Sequence, residues 1–148
     1  MDRIHLSTFI NAPKEKVWDT MIADATYRQW TAAFNEGSYY KGSWEEGSKI
    51  LFLGPGADGE GGMVSRIKEN RKYEFISVEH LGIVKNGVED TESEEAKKWA
   101  PALENYTFIE KDGGTELTID MDVVQEMKAE FETMWQNGLK ILKDICEK

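Results

Sequence analysis

The last quarter of the chain carries an apolar stripe that restricts the fold more than any other feature. Met127, Phe131, Met134, Trp135, Gly138, Leu139, Leu142 and Ile145 recur every three to four residues, the spacing of one face of an α-helix. Glu126, Lys128, Glu130, Glu132, Lys140, Lys143 and Asp144 fall mostly on the other side. So broad a face must lie on a sheet or another helix. Gly138 interrupts it at a cost of about 1 kcal/mol relative to alanine. That glycine either frees space for a ligand or lets the helix approach the sheet, and close packing is the expectation.

The rest of the chain supplies strands. Ile4, Leu6, Thr8 and Ile10 alternate with His5, Ser7 and Phe9, a period-two pattern. Asn11-Ala12-Pro13 breaks it, and proline suits the first turn of a helix carrying Val17, Trp18, Met21 and Ile22. Asp24 or Thr26 is placed to cap a second short helix bearing Tyr27 and Trp30. From 38 to 124 the pattern is strand and turn. Tyr39-Tyr40 and residues 49–53 come first, and the glycine-rich run 54–62 reads as a flexible hairpin. Residues 63–68 and 73–84 form a long hairpin turning at 69–72, and residues 102–110 and 115–124 another, turning at Asp112-Gly113-Gly114. Between them, Thr91 and Glu94 have capping-box spacing, so a short helix is expected over 92–99, ended by Pro101. This acidic stretch is either a solvated connection or a lid with Trp99 as its apolar foot.

No internal repeat or domain boundary is visible, and 148 residues suit a single domain over 1–148. The 28 acidic against 18 basic residues, a formal charge of −10, argue against binding nucleic acid or an anionic membrane surface. The lone Cys146 has no partner for an internal disulfide and lies beside Leu142 and Ile145, so a partly buried thiol is expected. Met1 to His5 lack a signal-peptide pattern, and no run approaches the ~20 apolar residues of a membrane span. A cytoplasmic protein follows as the expectation.

The chain shows no nucleophile elbow, zinc spacing, phosphate loop or calcium loop. No metal and no cofactor are therefore expected, and His5 and His80 lie on separate strands. In the segment 73–84, Tyr73, Phe75, Ser77, Glu79 and Leu81 share one face, and Ile76, Val78 and His80 the other. Both are partly apolar, so the inward face stays open. An inward Glu79 would be a carboxylate with a raised pKa and a candidate acid or base; an inward His80 would take its place. An exposed charge is the plainer reading of either.

The strand, two short helices, antiparallel strands and long final helix resemble the START-like (SRPBCC) superfamily of the birch-pollen allergens and polyketide cyclases. Asn11 to Trp18 are similar to its opening signature, Asp24 to Trp30 to the turn after it, Gly113 to Thr118 to its penultimate hairpin, and Trp135, Gly138, Leu139 and Leu142 to its final helix. Within it the pattern is most similar to the group named after the activator of heat-shock protein 90 ATPase. The resemblance implies an α+β helix-grip fold: a curved antiparallel sheet wrapped around a long C-terminal helix, with two short helices after the first strand. It also implies a cavity between sheet and helix, with Trp30, Phe52, Phe75, Tyr106, Phe108, Phe131, Met134 and Trp135 as candidate lining residues. Plain core packing is the alternative for each, because a core and an apolar pocket use the same side chains.

The leading functional expectation is a protein that encloses a small apolar or amphipathic ligand. The alternatives are a cyclase- or hydratase-type enzyme, with Glu79 or His80 carrying a proton and Tyr106 assisting, and a chaperone-linked interaction module. A monomer or weak homodimer is expected.

Overall fold

Alternation opens the chain as β1 (Asp2–Ile10), with Ile4 and Ile10 buried and Arg3, His5, Ser7 and Phe9 exposed. The structure is a computed structural model and describes residues 1–56 and 59–148. Pro13, in extended conformation, sits just ahead of α1 (Lys14–Ile22) rather than in its first turn. Ala23 then ends α1 and starts α2 (Asp24–Thr31). Neither expected cap forms. Asp24 pairs with Arg28, and the Thr26 hydroxyl donates to the Thr20 carbonyl. The chain passes from one helix to the next through a single residue, which leaves no extended lead-in from which a side chain can reach back.

The sheet follows as β2 (Tyr39–Gly42), β3 (Lys49–Gly56), β4 (Gly59–Arg71), β5 (Phe75–Lys85), β6 (Val88–Asp90), β7 (Ala102–Lys111) and β8 (Gly114–Val123). All pairs are antiparallel, in the order β1-β8-β7-β5-β4-β3-β2, with β6 against the end of β5. The glycine-rich run forms the hairpin expected there, with the strand pairing carried almost to its tip: Leu53 pairs with Gly62, Gly54 with Gly61 and Pro55 with Glu60. Ala57 and Asp58 of that run lie outside the described residues. The 63–84 hairpin turns later than expected. The Asn70 N–H donates to Glu46 and its amide to the Trp44 carbonyl, so Glu69 and Asn70 stay in strand. The chain reverses at Lys72–Glu74 instead, where Tyr73 takes a positive φ of 72°. Asp112-Gly113 turns as expected, with φ of 50° and 81°.

The short helix α3 (Glu94–Lys98) is capped by Ser93, whose hydroxyl accepts from the Ala96 N–H, not by Thr91. Ala96 is fully buried.

The final helix, α4 (Lys128–Cys146), follows a 3-10 turn at Gln125–Met127. Its buried line is Trp135, Gly138, Leu139, Leu142 and Cys146, while Met134 and Ile145 stay half-buried at its margins. A Cβ on Gly138 would come within 2.8 Å of the Phe34 ring. The close approach expected of that glycine is thus to the segment after α2, not to the sheet. Burial pushes the Cys146 thiol pKa up. One continuous core joins α1, α2, α4 and the concave sheet face, and a smaller cluster of Leu53, Val64 and Val84 lies on the other face. No helix among the described residues is long and apolar enough to cross a membrane.

Candidate functional site

Between the concave face, α2 and α4 lies a cavity of about 440 Å³. It is walled mainly by rings. Trp30 and Tyr27 enter from α2, Phe52 from β3, Tyr106 from β7, and Phe131 and Trp135 from α4. Trp135 is the hub at one end, 5.7 Å from Trp30, 4.9 Å from Phe34 and 5.9 Å from Tyr106 between ring centres. Trp99 reaches the wall just after α3 and meets Phe131 at 6.3 Å. Both rings also line a shallower hollow of about 480 Å³ beside the first.

Five of the eight residues nominated as lining are in the wall: Trp30, Phe52, Tyr106, Phe131 and Trp135. Phe108 is not; it is 2 % exposed and packs on Trp18 at 5.1 Å as core. Met134 is not either, because the turn of α4 carries it to the edge of the buried line. Phe75 points outward, its ring under the Arg71 guanidinium at 5.0 Å.

The inward face of β5 is the one bearing Ile76, Val78 and His80. Glu79 therefore lies on the outer face, where its Oε1 accepts from Arg66 at 2.8 and 3.0 Å. It has a cation directly across the strand and no access to the cavity, so it drops out as an acid or base there. His80 takes the inner position, 7 % exposed, with its ring nearly perpendicular to that of Phe52. Its Nε2 lies 3.1 Å from Glu104 Oε1 and its Nδ1 2.7 Å from Ser65 Oγ. A carboxylate only accepts, so Nε2 carries the proton given to Glu104; in the neutral ring, Nδ1 accepts from the Ser65 hydroxyl. The result is a buried chain, Ser65–His80–Glu104, ending in a carboxylate at the cavity wall. His5 is on the outside of β1 against Asp120.

Sequence reasoning missed Tyr27, Phe34, Trp44, Met121 and Glu104, all in the wall. Glu104 had a signal: it shares the alternating face of Ala102, Tyr106 and Phe108. Trp44 had none, since it sits between strands. Its indole N–H is shielded from solvent and has no partner among the described residues. The Tyr27 ring packs on Tyr40 at 5.0 Å, Trp44 at 6.4 Å and Phe52 at 6.3 Å. Burial, and then the negative charge of Glu104, push the Tyr27 phenol far above the usual tyrosine range, so it remains a donor.

That shift predicts a pH dependence. The folded pKa is raised, so the stabilisation is complete below the unfolded value of about 10 and is lost as pH rises above it. Each further pH unit removes about 1.4 kcal/mol, because the unfolded chain ionises while the folded phenol does not. Urea unfolding above pH 10 should show stability falling more steeply with pH in the wild type than in Tyr27→Phe; equal slopes would refute it.

An antiparallel sheet gripping one long helix over an aromatic cavity defines a helix-grip protein of the START-like class. The family model for activator of Hsp90 ATPase homolog 1-like protein matches residues 11–147. The chain belongs to that family. Among solved structures it is similar to protein CV1439 from Chromobacterium violaceum, with 20% identity, a TM-score of 0.73, and coverage of 99% of this chain and 97% of that one. It is likewise similar to the Aha1 dimer from Colwellia psychrerythraea (17%, TM-score 0.73, 99% and 97%). A third likeness is ChR145 from Cytophaga hutchinsonii (18%, TM-score 0.73, 98% and 93%). At these identities the likenesses carry the fold. Among curated proteins, none matches the chain significantly.

Proposed function

We propose that this protein binds one small amphipathic molecule between its sheet and α4. The observation that carries this reading is the 440 Å³ hollow itself, a volume within the range of ligand sites. Its wall is apolar and aromatic, and a few polar groups (Tyr27, Trp44, His80 and Glu104) give a bound molecule an orientation. N-phenylnaphthylamine, neutral and fluorescent in apolar surroundings, tests it. Saturable binding of one molecule per chain is expected, and it should weaken about tenfold or more in Ala102→Phe, which adds a ring to the wall. Absence of saturable binding to folded protein would sink the proposal.

The Ser65–His80–Glu104 chain favours a second reading, proton-transfer catalysis on the bound molecule. Under it, taken as a hydration or a dehydrating cyclisation, a ligand recovered from the wild type would differ by one water from that recovered from His80→Gln; identical masses would count against such turnover. The chaperone link in the family name draws little support from the surface. Among the described residues, the exposed large apolar ones are Met1, Phe9, Val88 and Ile109; Phe9 and Ile109 are both cross-strand neighbours of Glu116, which separates them. The dimeric relative keeps weak self-association in view.

A further inference from the structure

Building on the binding function above, we propose that the cavity takes an organic cation: a protonated amine carried on an apolar body. The side chains of its wall include two carboxylates and no lysine or arginine among the described residues. Asp122 is already served, by the Leu103 N–H at 2.9 Å and by Arg3 at 3.4 Å. Glu104 is not. Its Oε1 takes the His80 Nε2–H, which leaves Oε2 without a protein donor among the described residues, and its side chain remains 17% exposed.

Rings extend along the wall from that carboxylate's partner His80. Phe52 lies 6.1 Å from His80, and Trp44 lies 5.5 Å from Phe52 and 6.4 Å from Tyr27. Ring faces attract cations, and the attraction grows as water is excluded. An ammonium donates to a carboxylate through a charge-assisted bond, stronger than a neutral one. The same site penalises a carboxylic acid or phosphate head. Such a head would lose its hydration beside Glu104 with no lysine or arginine in the wall to receive it. The α-amino group of Met1 is a poor substitute, since Met1 is 62% exposed. The formal charge of −10 biases the whole surface the same way, though salt screens that contribution far more than one inside the cavity. The unpartnered Trp44 N–H pulls in the other direction, toward a head that accepts a hydrogen bond.

Three molecules with one ring system separate these pulls: naphthylmethylamine, naphthalenemethanol and naphthoic acid, titrated calorimetrically at neutral pH and physiological ionic strength. The amine should bind about tenfold more tightly than the alcohol, and the acid most weakly. Glu104→Gln, checked for folding by near-ultraviolet circular dichroism, should lose most of the amine's advantage. The wild-type series stands on its own if that variant does not fold. An alcohol or acid equal to or tighter than the amine, with N-phenylnaphthylamine still bound, would overturn the cation and leave the cavity's binding function standing. No binding of any of the four compounds would overturn both.

Discussion

Trp135→Ala should lower the free energy of unfolding by roughly 3–5 kcal/mol, the range for truncating a large buried aromatic. For a chain of this size that corresponds to a fall in Tm of roughly 6–20 °C. Trp135 is 3% exposed and carries α4 onto three other rings, Trp30, Phe34 and Tyr106. Its indole N–H also meets the Met121 sulfur at 2.9 Å, across to β8. Truncation removes ring contacts to α2, the segment after it and the sheet at once. The void it leaves opens into the existing cavity, so no single neighbour can collapse to fill it. Trp135→Phe keeps a ring there and should recover more than half of the loss. Urea titrations of the three proteins decide it: a loss under about 1 kcal/mol for the alanine variant would mean that α4 is held mainly by Leu139 and Leu142.

The elements that positioned this hub were legible because each depends on local chemistry. The α4 stripe is a periodicity, and Asp112-Gly113 is a turn that needs positive φ at both positions and has it. The inward face of β5 was not legible, because Phe75 and Leu81 make its outer side nearly as apolar as Ile76 and Val78 make its inner side. Only the strand opposite decides between them. A turn at 69–72 would set Lys68 against Tyr73, whereas the observed register sets Arg71 against Phe75, with irregularities at Val64/Ser65 and Ile67/Glu69. That register puts Arg66 across from Glu79 and Ser65 across from His80. One carboxylate is thereby neutralised outside, and one imidazole is held inside. The shift arises from bonds that Asn70 makes to Glu46 and Trp44, more than twenty residues away in sequence.

The candidate lining shows the same division. Phe108 and Tyr106 look alike in sequence, two residues apart on one strand face. The first is core because Trp18 of α1 covers it, and the second is cavity wall, where its ring meets Trp135 of α4 instead. Which ring is covered is a matter of where the short helices land. Glu104 continues the same face by two more residues, and its chemistry comes from a partner, His80, on another strand.

The glycines of the β3–β4 hairpin carry the second large effect, and two neighbours should behave oppositely. Gly62 has a φ of +151°, and a Cβ there would lie 1.8 Å from the Phe52 carbonyl oxygen and 2.8 Å from its carbon. Both atoms are backbone in the paired strand, so no side-chain rotation relieves the contact. Positive φ adds about 1–3 kcal/mol of strain and overpacking about the same again. Gly62→Ala should therefore cost roughly 2–6 kcal/mol. Relief requires β3 and β4 to part near Leu53, which also displaces Phe52 from the cavity wall. The variant that remains folded should accordingly bind N-phenylnaphthylamine more weakly. At Gly61 an added Cβ meets only the Val84 carbonyl oxygen at 3.5 Å, an ordinary contact, with no positive φ. Gly61→Ala should be near neutral or stabilise by about 0.4–1 kcal/mol, through the reduced freedom of the unfolded chain. Urea midpoints of the two variants give the comparison. Equal stabilities would mean that the hairpin yields at Gly62 without cost, and that this rim does not fix the position of Phe52.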